Sequence, residues 1–132
     1  MTEDLILIAE DDADIREMLD FVLHSAGYET VSVGDGQAAA HVLTTRHPTA
    51  VITDVRMPTI DGIDLCRLVR RTEGSGTAVL MFTANALGSE VTAGMNAGAD
   101  RYLTKPISPR HLLAELREVL ASKSAHEQPC GQ

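Results

Sequence analysis

The 132-residue chain is 44% hydrophobic with a formal net charge of -8, enough for one domain whose core needs no disulfide or metal staple. That acidity excludes a nucleic-acid grip built by this domain alone, which needs clustered Lys and Arg, and no apolar run is long enough to span a bilayer. Cys66 in an apolar helical pattern and Cys130 in a polar stretch make no disulfide framework, and the acidic start Met1-Thr2-Glu3-Asp4 reads as no signal peptide; both suggest a reducing, cytoplasmic setting.

Leu5-Ile6-Leu7-Ile8-Ala9 is a continuous apolar run, the pattern of a strand buried on both faces, and it stops at Glu10-Asp11-Asp12. Ile15, Met18, Leu19, Val22 and Ala26 then recur at helical spacing up to Gly27. Glu29 to Val33 alternates as a shorter strand near a sheet edge, and Gly34-Asp35-Gly36 turns the chain into a helix through Val42 and Leu43. The third strand, 50–53, is rich in β-branched residues and ends at Asp54, before a loop closed by Pro58.

Asp61-Gly62 opens a helix carrying Ile63, Cys66, Leu68 and Val69. Ala78 to Phe82 is the fourth strand, ending at Thr83-Ala84; a weaker helix of small residues spans about 88–97. Arg101 to Thr104 is the fifth strand, ending at Lys105-Pro106. Ser108 then caps a last helix with Pro109 at its first position. Five strands alternating with five helices predict an α/β fold: a doubly wound parallel sheet with helices on both faces. The domain is expected over 4–122, with 123–132 a disordered tail or linker stub.

The strand ends carry the chemistry. In an open parallel sheet ligands sit at the carboxyl ends of strands, near the point where strand order reverses. With order 2-1-3-4-5, Asp11 and Asp54 face each other, with Thr83 and Lys105 alongside. Carboxylates so close repel unless a cation intervenes. Lys105 supplies one charge, and Mg²⁺, held by one or two carboxylates plus water and phosphate oxygens, is the natural further partner. Such a set suits receipt of a phosphoryl group, with Asp54 attacking in line. Taken singly each residue reads as a cap or loop; one per strand end, in this order, they read as a site.

Ile6-Leu7-Ile8-Ala9-Glu10-Asp11-Asp12, Thr53-Asp54-Val55-Arg56-Met57-Pro58 with Asp61-Gly62, Phe82-Thr83-Ala84 and Gly98-Ala99-Asp100-Arg101-Tyr102-Leu103-Thr104-Lys105-Pro106 together resemble the receiver domain of two-component response regulators. The resemblance implies a phosphorelay switch rather than an enzyme, with Asp54 as phosphoacceptor for a sensor histidine kinase or phosphotransfer protein. It implies Mg²⁺ bound by Asp11, Asp54 and the Arg56 backbone carbonyl, with Glu10 acting through water. Thr83 and Lys105 would hold the phosphoryl oxygens, Tyr102 would swing inward as Thr83 moves, and the Lys105-Pro106 bond would be cis. The family's output surface falls at about 88–120 and would meet a downstream protein, an output domain or a second copy.

Arg56 and Asn85, two residues beyond Asp54 and Thr83, are expected to tune the lifetime of the acyl phosphate. Arg101, His111 and Glu115 depart from common family patterns, which leaves the dimerisation mode open. The rival readings are a Mg²⁺-dependent aspartyl phosphatase, which would want a second Asp where Arg56 stands, and a flavodoxin-like electron carrier, which would want a hydroxyl-rich loop where Glu10-Asp11-Asp12 stands.

Overall fold

Strands with no polar face must be covered on both sides. In the computed structural model, which describes residues 4–84 and 88–127, the strands are β1 (Leu5–Ala9), β2 (Glu29–Val33), β3 (Ala50–Asp54), β4 (Ala78–Thr83) and β5 (Arg101–Thr104), of which β1, β3 and β4 are buried throughout. Between and after them run α1 (Ala13–Ser25), α2 (Gly36–Val42), α3 (Gly62–Glu73), α4 (Gly88–Ala97) and α5 (Pro109–Glu127). All five strands are parallel in the order β2-β1-β3-β4-β5, as the sequence predicts.

Alternate strand residues point to opposite faces. Ile6, Ile8, Ile52, Leu80 and Phe82 pack against Leu19 and Leu23 of α1 and Leu112, Leu116 and Val119 of α5. Leu7, Val51, Val79 and Met81 pack on the other side against Ala39, Leu43, Leu65, Cys66 and Val69. Each large aliphatic side chain so buried contributes roughly 1.5–3 kcal/mol. Two dry layers therefore hold the sheet rigid, and the strand ends with it.

Aspartates start three of the helices. Asp12 accepts from the amides of Asp14 and Ile15, Asp35 from Ala38, and Asp61 from Asp64. This separates two neighbouring acids by role: the Asp12 side chain caps α1, while that of Glu10 takes the amide of Asp12 itself. Ser108 accepts from the amide of His111, as a cap should.

A second polar cluster lies at the amino ends of the strands. Arg70 of α3 donates to the carbonyls of Gly98 (3.0 and 2.7 Å), Gly74 (2.9 Å) and Thr77 (2.6 Å), and to Asp100 Oδ2 (3.0 Å). Asp100 also accepts from the Val79 amide at 2.9 Å and pairs with Lys123 Nζ at 3.0 Å. Lys123 in turn donates to the Ser75 carbonyl at 2.6 Å.

The last helix departs from expectation. It continues to Glu127, across residues expected to be a disordered tail from 123 on. No Gly or Pro interrupts Ala121 to Glu127, the next breaker being Pro129, and the two contacts of Lys123 tie that turn to the domain. Cys130 lies outside the described residues.

Candidate functional site

The carboxyl ends of β1, β3, β4 and β5 converge because neighbouring strands run in parallel register, with Ala9 opposite Thr53, Asp54 opposite Phe82 and Thr83 opposite Thr104. The sheet thus brings Glu10, Asp11, Asp54, Thr83 and Lys105 to one edge.

Asp54 closes β3 and is only 6% exposed. Its Oδ2 accepts from Lys105 Nζ at 2.9 Å and its Oδ1 from the Arg56 amide at 3.3 Å. Gly62 lies so close behind it that a Cβ there would stand 2.2 Å from the Asp54 carbonyl oxygen. The Asp-Gly pair at 61–62 therefore combines a helix cap with the only residue small enough to sit against the strand end.

Glu10 is fully buried. Its Oε2 accepts from the Asp12 amide at 2.8 Å. Its Oε1 lies 3.2 Å from Lys105 Nζ, yet outside hydrogen-bond geometry, and is the one buried side-chain oxygen among the described residues without such a bond. Burial above all, then the Asp54 charge and the Asp11 side chain, push the Glu10 carboxyl from 4.5 up to about 7, against the pull of the Asp12 amide and Lys105. Asp11 beside it is exposed.

Lys105 follows β5, its Nζ between the two acids and 5.3 Å from the centre of the Phe82 ring. Burial works against its charge, but the hydrogen bond to Asp54 and the charges of Asp54 and Glu10 prevail, so its ammonium is held above the ordinary lysine range. Its amide donates to the Thr83 carbonyl at 2.8 Å, and the bond to Pro106 is cis. Thr83 ends β4, almost wholly buried.

Carboxylate oxygens of Glu10, Asp11 and Asp54 all lie within 4.8 Å of one another, the only such group among the described residues. Three acids against one ammonium, all-oxygen donors and a buried oxygen lacking a hydrogen bond fit a hard divalent cation. Asp54 in this group is paired with the Lys105 ammonium, and Thr83 ends the neighbouring strand.

Arg56 points elsewhere. Its guanidinium, 67% exposed, pairs with Glu90 Oε2 of α4. The other oxygen of Glu90 accepts from the Tyr102 hydroxyl at 3.4 Å. Burial first, and then Glu90, push the Tyr102 phenol up to about 12. Glu90 went unseen in the sequence because α4 is a helix of small residues with little apolar periodicity. The one signal was an acid in its first turn. Asn85 lies outside the described residues. Arg101 pairs within the chain with Glu115 (2.8 Å) and Glu118 (2.9 Å) of α5.

Comparison with known proteins points the same way. A family model described as the response regulator receiver domain matches residues 6–117. The DNA-binding response regulator MtrA of Mycolicibacterium paratuberculosis is 38% identical over 112 residues, 85% of this chain and 49% of that protein. The chain thus spans about half the length of the curated relatives it matches. A CheY-like receiver domain from Methanospirillum hungatei superposes with a TM-score of 0.90 at 26% identity, covering 95% of this chain and 99% of that one. The receiver domain of the sensor histidine kinase PA1611 from Pseudomonas aeruginosa, solved with a magnesium ion in its active-site cleft, gives 0.76 at 31% identity, covering 90% and 95%.

Proposed function

The chain belongs to the response regulator receiver domain family of two-component signalling, and on that premise we propose that Asp54 accepts a phosphoryl group from a sensor histidine kinase or phosphotransfer protein. The observation that carries this reading is the buried Asp54 carboxylate held 2.9 Å from Lys105 beside two further acids.

An oxygen of Asp54 attacks phosphorus in line while the bond to the donor imidazole breaks, and the imidazole takes up the proton that neutralises it. Lys105 holds the carboxylate in place and then faces the phosphoryl oxygens. Thr83, at the end of the adjacent strand, would donate its hydroxyl to one of them. The Arg56 amide fixes the second carboxylate oxygen. Asp11, Asp54 and the Arg56 carbonyl would hold Mg²⁺, with Glu10 acting through water. That ion would offset the repulsion between the acids and the incoming group.

Phosphorylation adds roughly -1.5 to -2 charges and three acceptor oxygens. It favours whichever arrangement of the Thr83 and Lys105 loops reaches those oxygens, with Tyr102 following Thr83 and the surface of α4, β5 and α5 carrying the result. The recipient is a downstream protein, a further copy or an output domain such as a DNA-binding relative possesses. The setting is the cytoplasm, and no described helix is long and apolar enough to cross a membrane. A phosphatase reading gains no support, since Arg56, turned to Glu90, offers no general acid.

Incubation with acetyl phosphate, with and without Mg²⁺, followed by intact mass, tests this. The wild type with Mg²⁺ should gain one phosphoryl group and Asp54→Ala none. An adduct that survives in Asp54→Ala would overturn the assignment.

A further inference from the structure

A single carboxylate joins three segments that the strand ends alone do not connect. Glu90, in the first turn of α4 with its side chain 15% exposed, takes the Arg56 guanidinium on one oxygen and the Tyr102 hydroxyl on the other. The Tyr102 ring lies against Gly94, one turn further along α4, where a Cβ would come within 2.9 Å of Cε2. Tyr102 is thus fastened to α4 at two points, an acceptor at residue 90 and a gap at residue 94. Its phenol, pushed up to about 12, stays a donor throughout the physiological range.

An acid in a first helical turn needs no special role, because the helix dipole alone favours it by about 0.3–1 kcal/mol. The dipole does not, however, select two partners on two other segments. One of these, Arg56, has its own amide on Asp54 Oδ1, so its side chain is tethered two residues from the acid. A phosphoryl group there outweighs Glu90 in charge and offers the paired oxygens that a guanidinium fork prefers.

We propose that Glu90 is a positioning residue that holds Arg56 off Asp54 and Tyr102 onto α4 until charge arrives at Asp54, when Arg56 exchanges one anion for the other and α4 is released. This rests on the reading of Asp54 as phosphoacceptor. It supplies a route from Asp54 to α4 through the loop after β3, separate from the one through Thr83.

The test compares wild type, Glu90→Gln, Arg56→Gln and the double variant by the rate of adduct formation from acetyl phosphate with Mg²⁺. Fluorotyrosine-labelled proteins are followed by ¹⁹F NMR, with Tyr102→Phe giving the assignment. Glutamine can still accept from Tyr102 but cannot pair with Arg56. Glu90→Gln should speed adduct formation roughly two- to fivefold, the range that release of a partly exposed ion pair allows, and move the Tyr102 resonance toward its position in the phosphorylated wild type. In the Arg56→Gln background the same change should do neither. Equal acceleration in both backgrounds, or an unmoved rate and resonance in Glu90→Gln, would overturn the latch while leaving Asp54 as acceptor. A wild type that gains no phosphoryl group would overturn the underlying reading and the latch with it.

Discussion

The two ends of the sheet hold two clusters of charge that the same fold treats in opposite ways. At the amino ends, Asp100 meets Arg70, Lys123 and the Val79 amide, and the remaining arginine donors find the carbonyls of Gly98, Gly74 and Thr77. At the carboxyl ends, Glu10 and Asp54 share Lys105 with Asp11 beside them, and one buried oxygen of Glu10 has no hydrogen bond. The first cluster is complete within the chain. The second gathers three carboxylates against a single ammonium. Charge by itself does not mark a site; charge the chain cannot match does.

The sharpest way to break that contrast is to cut into the complete cluster. Arg70→Met keeps the stem but leaves Asp100 and three carbonyls short of donors. It should cost about 2 kcal/mol in urea denaturation, in line with leaving a half-buried carboxylate and several carbonyls short of donors. Its rate of phosphoryl uptake from acetyl phosphate should match the wild type. A loss of uptake at full stability would mean the two ends are not separable.

At the other end, stability should depend on pH and metal together. The folded Glu10 carboxyl sits near 7, above its ordinary 4.5. A raised acid binds its proton more tightly when folded, so it favours folding below about pH 4.5 and loses that contribution as pH rises through about 7. In EDTA the melting temperature should therefore decline between about pH 5 and about pH 8. Mg²⁺ should restore more at the upper end, because binding must displace less proton there. A Mg²⁺ increment independent of pH, or larger in acid, would count against Glu10 as part of the metal site.

A smaller effect of opposite sign to that of Arg70→Met tests the surplus directly. Asp54→Asn removes one of three acids yet leaves Lys105 paired with Glu10. Without metal it should stabilise the fold by about 1 kcal/mol, as relief of like-charge repulsion suggests. It should also lose most of the stabilisation by Mg²⁺. A destabilised Asp54→Asn would show that the carboxyl-end cluster is structural after all.

The two clusters were unequally legible in the sequence. Strand runs ending in Glu10-Asp11, Asp54, Thr83 and Lys105 could be read because a parallel sheet lines up consecutive strand ends, so that order along the chain implies proximity in space. The Arg70 cluster could not. An arginine late in an amphipathic helix reads as solvated, and its partners are mostly backbone carbonyls, which carry no residue signature. Glu90 was hidden for a related reason: it pairs across 34 positions with a loop residue whose side-chain direction no periodicity fixes. The run of α5 to Glu127 does not follow from its polar composition, because helices end at breakers and caps rather than at polar residues.

Arg101 gives the finest test, because it neighbours the complete cluster in sequence but not in physical character. It donates to the Asp100 carbonyl at 2.9 Å and pairs with Glu115 and Glu118. Those two carboxylates hold its guanidinium above the ordinary arginine range, Glu118 foremost. Its side chain is about as well matched as that of Arg70, but it is 35% exposed against 19%. Water already screens much of what the pairs supply, so Arg101→Met should cost only about 0.5 kcal/mol. At roughly 1 M salt, where the Debye length falls to about 3 Å, that loss should nearly vanish. The loss in Arg70→Met should persist there, because most of its partners are uncharged carbonyls and its side chain is the more buried of the two. If the two losses responded alike to salt, burial would not be what separates a structural charge cluster from a surface one, and the distinction drawn between the two ends of the sheet would lose its footing.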